Sequence, residues 1–218
     1  MGLMRECTIG FALILACGLL AACGADQTAP SATPSLLSSS QTPSTSSSPS
    51  IGSGVVINEF ASRNKDDEAS AEFLELRNDS PGPVDLGGWR IMVFETTTRT
   101  TITYFTFDQA RILGTGCHFL MATSIYPLTI APDAVVAPGI NDNSGIALIA
   151  RDGTIADQVG MSPDAAYVEG TALAPFSFSN GANASYARIG VDTNDNARDF
   201  QFVKPATPRN ASSSCDIR

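Results

Sequence analysis

Short apolar runs separated by turn residues make up most of the chain after residue 54. Runs such as "VVINEF" (55–60), "WRIMVF" (89–94) and "GIALIA" (145–150) contain β-branched and aromatic residues, and Gly, Pro, Asn and Asp stand between them. In several runs apolar and polar positions alternate, as they do along a half-buried strand. No window of about 12 residues has an apolar stripe at helical spacing. The pattern predicts about nine short strands in an all-β, antiparallel sandwich or barrel.

The N-terminal segment has the features of a targeting signal. A charged start at Arg5 precedes the apolar run 8–20, which is shorter than the ~20 residues that a membrane-spanning helix needs. The run ends in "LAAC" (20–23), which resembles the lipobox of bacterial lipoproteins. We therefore predict a signal peptide over 1–22 and a diacylglycerol group attached to Cys23. The predicted location is the cell membrane or outer membrane, with the lipid-anchored protein facing the periplasm or the exterior.

For residues 23–53 we predict a lipid-bearing cysteine followed by a tether. Ser, Thr and Pro make up 19 of the 30 residues from 24 to 53. Such a segment buries too little apolar surface to offset its chain entropy, so we predict that it is disordered. The folded domain is then predicted over 54–210, with a short C-terminal tail over 211–218.

The charge of the chain bears on its partners. Asp and Glu number 22 and Lys and Arg 13, which gives a net charge of −9. An acidic chain without a basic cluster repels phosphate backbones, so nucleic acid is disfavoured as a partner. Capture of nucleic acid at the cell surface remains an alternative function, and it predicts an affinity that falls steeply with salt.

Two cysteines remain once the signal peptide is removed and Cys23 is acylated. Cys117 and Cys215 would then stand in an oxidising compartment, where disulfides form. A bridge would join the C-terminal tail to a central strand and would stabilise the fold by about 4–5 kcal/mol. The alternative is a buried thiol at Cys117 and a loose one at Cys215, and the sequence leaves both open.

Five segments, in order, resemble the lamin tail domain, an immunoglobulin-like antiparallel β-sandwich. They are "VVINEF", "AEFLELRNDSPGPVDLGGWRI" (71–91), "YFTF" with "ILGTGCHFLM" (104–121), "SGIALIARDGTIADQVG" (144–160) and "SYARIGVDTNDNARDFQFVKPATPRN" (185–210). The resemblance covers about 54–210. The residues that match the family pattern, and to which it gives structural roles, are Asn58, Glu59, Glu75, Leu76, Asp85, Leu86, Gly88, Trp89, Asp152, Gly153, Asp157, Asp199 and Phe200.

The resemblance implies a non-enzymatic binding or scaffolding module. We expect its partner to be an envelope or extracellular protein. The long loop 123–144 and the insertion 161–184 depart from the family pattern. Together with 61–70 they are the predicted contact surface, because rigid sandwiches present function on their loops.

A hydrolase is the alternative function. Glu59 and Glu75 lie on strands predicted to pair, so their carboxyl groups could face each other as acid and base. His118, the one histidine, alternates with Cys117 along a strand, so the two side chains should point to opposite faces. The sequence therefore favours a structural histidine over a Cys–His dyad.

The stretch "DTNDNARDF" (192–200) looks at first like a calcium loop. Asp192, Asn194 and Asn196 stand at alternate positions, as oxygen ligands do in an EF-hand loop. The required Gly and Glu are missing, and strands flank the stretch, so an EF-hand is excluded. The sequence predicts Asx-turns here, with a weak calcium site at these three residues as the alternative.

Overall fold

The computed structural model describes residues 54–63, 68–127, 129–180 and 182–216. The predicted signal peptide, the predicted acylation site at Cys23 and the predicted tether lie outside the described residues. Within the described part, no helix is long and apolar enough to span a membrane.

Twelve strands and one short helix make up the described chain. Most strands correspond to the short apolar runs of the sequence, and the helix is a single turn. In chain order they are β1 (Val55–Ala61), β2 (Phe73–Asn78), β3 (Val84–Asp85), β4 (Arg90–Glu95), β5 (Thr100–Thr106), β6 (Ile112–Leu113), β7 (His118–Thr123), β8 (Ala134–Val136), β9 (Gly145–Ile149), β10 (Ile155–Gly160), β11 (Ser185–Arg188), α1 (Asn196–Asp199) and β12 (Phe200–Val203).

The strands form two principal sheets. The larger has six strands in the order β12-β11-β1-β2-β7-β8, and the smaller has four in the order β10-β9-β4-β5. Strands β3 and β6 form a separate pair. All pairings are antiparallel except that of β7 with β8. The predicted antiparallel β-sandwich is confirmed, and the parallel strand β8 comes from within the long 123–144 loop.

The main core lies between the two sheets. Phe60 and Leu76 from the larger sheet belong to one buried cluster with Ile91 and Leu148 from the smaller sheet. Alternate residues of a strand point to the same face, so the period-2 pattern of the sequence places these side chains inward. Trp89 is half-buried and packs against this cluster, as expected for a structural residue.

The larger sheet is also covered on its outer face. Every residue of β1, β2 and β7 is buried. Phe73 and Leu120 form a second apolar cluster with Ala61 and Ala122, and Tyr126, Ile130 and Ala206 pack against it. The segment after β7 and the C-terminal segment thus lie over a face that most sandwiches leave to solvent.

Two glycines of the family pattern occupy turns that require them. Gly88 and Gly153 have φ angles of +84° and +89°, the left-handed region that side chains with a Cβ rarely adopt. Gly88 precedes β4, and Gly153 lies in the turn between β9 and β10. Both glycines therefore fix the directions of strands in the smaller sheet.

Candidate functional site

A groove of about 990 Å³ lies at one end of the sandwich. Its walls come from the loop between β1 and β2, the turn between β4 and β5, the segment before β9 and the segment between β10 and β11. We call it the loop groove. Its lining residues are Arg63, Ala69, Ser70, Glu72, Glu95, Thr97, Thr98, Thr100, Ile102, Pro138, Gly139, Asn141, Asp142, Asn143 and Pro175.

All three loops predicted as contact surface contribute to the groove. Residues Arg63 and Ser70 belong to the predicted loop 61–70, Gly139 to 123–144 and Pro175 to 161–184. They are far apart in sequence, and the fold brings them to one place. The β4–β5 turn is a fourth wall that the sequence did not single out, because it is short and reads as an ordinary hairpin.

Glu72 ties the segment before β9 to the start of β2. Its carboxylate accepts hydrogen bonds from the backbone N–H groups of Gly139, at 2.9 Å, and Ile140, at 2.8 Å. The side chain is 2% exposed, and burial raises its pKa to about 7 despite these bonds. The buried Tyr104 phenol lies beside it, and burial together with the Glu72 charge raises the Tyr104 pKa.

Asp142 ties the same segment to the loop after β1. Its carboxylate accepts from the Ser62 hydroxyl at 2.8 Å and from the Arg63 guanidinium at 2.9 Å. Its backbone carbonyl accepts from the N–H of Phe176 at 3.0 Å. One residue therefore links all three of the loops that the sequence predicted as a contact surface.

The β4–β5 turn is fixed in a similar way. The Glu95 carboxylate accepts from the backbone N–H groups of Thr97 and Thr98, and hydrogen bonding by Thr98 keeps the Glu95 pKa below its usual range. The Thr96 hydroxyl donates to the Asn143 carbonyl oxygen at 2.7 Å. The groove is thus preorganised, since its walls are held to one another before any ligand arrives.

The lining of the groove is acidic and rich in hydroxyl groups. Among its described residues, three carboxylates and one guanidinium carry charge, and Asp142 already pairs with that guanidinium. Ser70, Thr97, Thr98 and Thr100 add hydroxyl groups. No aromatic ring is among the lining residues within the described chain, so the groove offers no stacking surface for a sugar or a base.

The paired carboxylates of the hydrolase hypothesis do face each other. Glu59 and Glu75 are register partners on β1 and β2, and both are buried. They line a small cavity of about 170 Å³ on the outer face of the larger sheet, together with Asn58 and His118. The pairing predicted from consecutive strands is therefore present in the fold.

Both carboxylates are occupied by protein donors. Glu59 accepts from the Ser185 hydroxyl and from both the N–H and the hydroxyl of Thr207. Glu75 accepts from the Asn58 amide and the Arg209 N–H. Residues 206–216, which we call the C-terminal strap, thus cross directly over the pair.

Further contacts hold the strap down along its length. The N–H of Ala211 donates to the Asp133 carboxylate at 2.9 Å, and the N–H of Asp216 donates to the Gly116 carbonyl at 3.0 Å. A disulfide joins Cys117 to Cys215 across a sequence separation of 98. The predicted domain boundary at 210 falls inside this strap, which continues to Asp216.

The environment of Glu75 favours its neutral form. Burial, with a further contribution from the Glu59 charge, raises the Glu75 pKa to about 8. The Nε2 atom of His118 lies 3.7 Å from its Oε1 atom. His118 is 2% exposed, and Cys117 is in the disulfide, so the two do not form a dyad.

Arg188 organises the closing segment of the fold. Its buried guanidinium pairs with Asp157 at 2.8 Å, Asp192 at 3.0 Å and Asp199 at 3.3 Å, and it stacks over the Phe200 ring. Carboxylate oxygens of Asp157, Asp192 and Glu169 lie within 4.8 Å of one another, close enough to share a cation. The guanidinium already supplies positive charge at this cluster.

The structure separates the three predicted calcium ligands. Asp192 belongs to the Arg188 cluster and accepts from the N–H of Asn194 in an Asx-turn. Asn196 is fully buried instead, and its side-chain oxygen accepts from the N–H groups of Gly160 and Glu169. Calcium binding at this stretch stays a prediction, while Asn196 has a structural role that the sequence did not reveal.

The remaining polar residues of the family pattern shape turns. Asp85 accepts from the N–H groups of Gly87 and Arg111, and it pairs with Arg151. Asp152 accepts from the N–H and the hydroxyl of Thr154.

Comparison with known protein families identifies the domain. The family model of the lamin tail domain matches residues 48–163. The match ends before β11, so it is shorter than the resemblance seen in the sequence, although β11 and β12 complete the same sheet. No curated protein matches the chain significantly. Since the match spans more than half of the 218 residues, the chain belongs to the lamin tail domain family.

Proposed function

We propose that the protein is a lipid-anchored envelope protein whose β-sandwich binds a partner protein through the loop groove. The observation that carries this proposal is the convergence of three distant loops on one preorganised groove. Asp142 lies in one of these loops and bonds to residues of the other two, Arg63 and Phe176. A surface that is fixed in advance loses little conformational entropy on binding, which favours affinity.

A binding role also fits the state of the carboxylate pair. A general acid and base must be able to reach a substrate, with hydrogen-bonding capacity left for it. Glu59 and Glu75 already accept bonds from Thr207 and Arg209, and the strap covers them. Their geometry supports a structural task, and it gives the hydrolase alternative no support.

Nucleic acid is a poor fit to the groove. The charged residues of its lining, among those that the structure describes, are Glu72, Glu95 and Asp142 against Arg63. A phosphate backbone would meet net negative charge there, on a chain of net charge −9. A protein partner with basic character meets no such repulsion.

A pull-down from native envelopes tests the proposal. The full-length protein is expressed in its native host with Ala69→Arg and Ser70→Arg, two exposed positions on the groove wall, and is recovered from the cell envelope. The matched control carries Gln109→Arg and Gln201→Arg, which are also exposed but do not line the groove. We expect the groove variant to lose its partner and the control to retain it. Equal recovery of the partner by both variants would refute binding through the groove.

A further inference from the structure

Strand β5 is an edge of the smaller sheet, and the register shift in its pairing with β4 falls after Thr103. It pairs only with β4 in the four-stranded order, and its first four residues, Thr100–Thr103, are all exposed. In an edge strand, every second residue points its backbone N–H and C=O away from the sheet. These groups form a template on which another extended chain can pair.

The other edges among the described strands are shorter or partly covered. Strands β8 and β12 have three and four residues. Strand β10 lies beside the segment that follows it, since Gln158 donates to the Val168 carbonyl and Leu173 to the Gly160 carbonyl. Proteins commonly blunt exposed edges with Lys, Pro or a covering segment. The exposed half of β5 contains neither Lys nor Pro.

The exposed half of β5 is also a wall of the loop groove. Thr100 and Ile102 line the groove together with the carboxylates of Glu95 and Asp142, whereas the Glu72 carboxylate is buried. The Ile102 side chain packs against the backbone at Gly139, a residue that Glu72 holds in place. A strand added to β5 would therefore lie in the groove, with every second side chain directed toward its carboxylates.

We propose that the loop groove takes an extended, basic segment of a partner protein, which pairs with Thr100–Thr103 as an added strand of the smaller sheet. This inference rests on the proposed function and specifies its ligand. Backbone pairing supplies affinity, and the acidic lining selects Lys or Arg at alternate positions of the segment. The groove volume of about 990 Å³ is sufficient for several residues of such a segment.

A second copy of the chain is a less suitable occupant of this edge. Pairing of β5 with β5 would bring two chains of net charge −9 together. It would also place two sets of groove carboxylates near each other, and like charges across an interface oppose association. The charge of the groove therefore favours a basic partner over self-association.

Hydrogen exchange on the detergent-solubilised full chain tests the inference. The probe is a synthetic peptide of about seven residues that alternates Lys and Val. We expect it to slow amide exchange at 100–103 by about tenfold or more. A peptide that alternates Glu and Val should have no effect, and neither should a Lys/Val peptide N-methylated at every residue, which keeps the charge but has no backbone N–H left to donate at either edge.

A pair of matched variants makes the test specific to β5. Ile102 and Ile155 are both exposed isoleucines on edge strands, at 43% and 49%. Ile102→Lys should weaken binding of the Lys/Val peptide by about tenfold, and Ile155→Lys should leave it unchanged. Protection at 100–103 that appears without peptide and grows with protein concentration would overturn the inference in favour of self-pairing.

Three other results would also overturn the inference. They are failure of the Lys/Val peptide to bind, equal binding of the N-methylated peptide, and equal binding of the Glu/Val peptide. None of them bears on whether the Ala69→Arg and Ser70→Arg variant loses its envelope partner. Strand addition can therefore fail while binding through the groove still holds.

Discussion

Buried carboxylates that accept backbone N–H bonds are the recurring device of this protein. Glu72 holds Gly139 and Ile140, Glu59 holds Thr207, and Glu75 holds Arg209. Each bond joins segments that are distant in sequence, so a single side chain positions a loop or a tail. Loss of the acceptor in any of these bonds leaves a backbone donor unsatisfied.

Glu72→Ala should loosen one wall of the loop groove. The substitution leaves the N–H groups of Gly139 and Ile140 without their acceptor. We expect the free energy of unfolding to fall by about 1–3 kcal/mol and amide exchange at these two residues to accelerate. Asp108→Ala, which removes an exposed acid outside the groove, is the control. Unchanged exchange at 139–140 in the Glu72 variant would contradict the assigned role.

Glu75 should make stability depend on pH in the neutral range. Its pKa in the folded protein is about 8, raised from 4.5 chiefly by burial, so folding favours the protonated form. The contribution of Glu75 to the free energy of unfolding is complete below pH 4.5 and declines as the pH rises toward 8. Glu75→Gln should flatten this decline in denaturant unfolding between pH 5 and 8. Glu72, whose pKa is about 7, acts in the same direction, so the Glu75→Gln variant should keep part of the pH dependence. A pH dependence of stability equal to that of the unmodified protein would contradict the prediction.

Among the elements, the C-terminal strap is the most unusual. It has no regular secondary structure, yet buried carboxylates and a disulfide fix it over β1 and β2. This explains why the central strands are buried on both faces. It also explains why Glu59 and Glu75, which alternate with apolar residues as a solvated face would, are not solvated.

Replacement of both Cys117 and Cys215 by Ser should release the end of the strap. In the chain-entropy description, a disulfide that closes a loop over a sequence separation of 98 stabilises the folded protein by at most about 4–5 kcal/mol. We expect a loss of stability of that order under oxidising conditions, with faster exchange in 206–216 than in β1 and β2. Treatment of the native protein with reductant should give the same pattern. Equal stability of the two proteins would show that the bridge contributes nothing.

Local patterns predicted the strands well and the long-range supports poorly. The runs that became β1, β4 and β9 were recognisable from their own residues, because alternation and turn chemistry are local signals. That Glu59 and Glu75 face each other could be predicted because consecutive strands commonly pair. Apart from the cysteine pair, the path of the strap had no such signal, since the bond from Thr207 to Glu59 spans 148 residues and leaves no periodic trace.

The calcium-like stretch illustrates the same limit. Alternation of Asp192, Asn194 and Asn196 indicated a turn-rich loop, and the structure has one there. The long-range bonds from Asn196 to Gly160 and Glu169, and the pairing of Arg188 with three carboxylates, depend on the packing of other elements. Sequence spacing within the loop could not distinguish a ligand from a buried support.

For the whole molecule, we propose a membrane anchor joined to a binding domain. The proposed anchor is a lipid on Cys23 in "LAAC", which precedes the described residues. Cys23→Ser should abolish incorporation of labelled palmitate and move the chain from the membrane fraction to the soluble fraction. Retention of the label by the variant would contradict lipid attachment at this residue. Cys7→Ser, within the predicted signal peptide, is the control and should have no effect.

Site-specific photo-crosslinking in living cells is the most direct test of binding through the groove. A photoreactive amino acid is placed at Thr98, an exposed residue of the groove wall, or at Gln109, an exposed residue that does not line it. We expect a discrete crosslinked protein from Thr98 that is absent from Gln109. The same crosslinks from both positions, or none from Thr98, would contradict the proposal that the loop groove binds a partner.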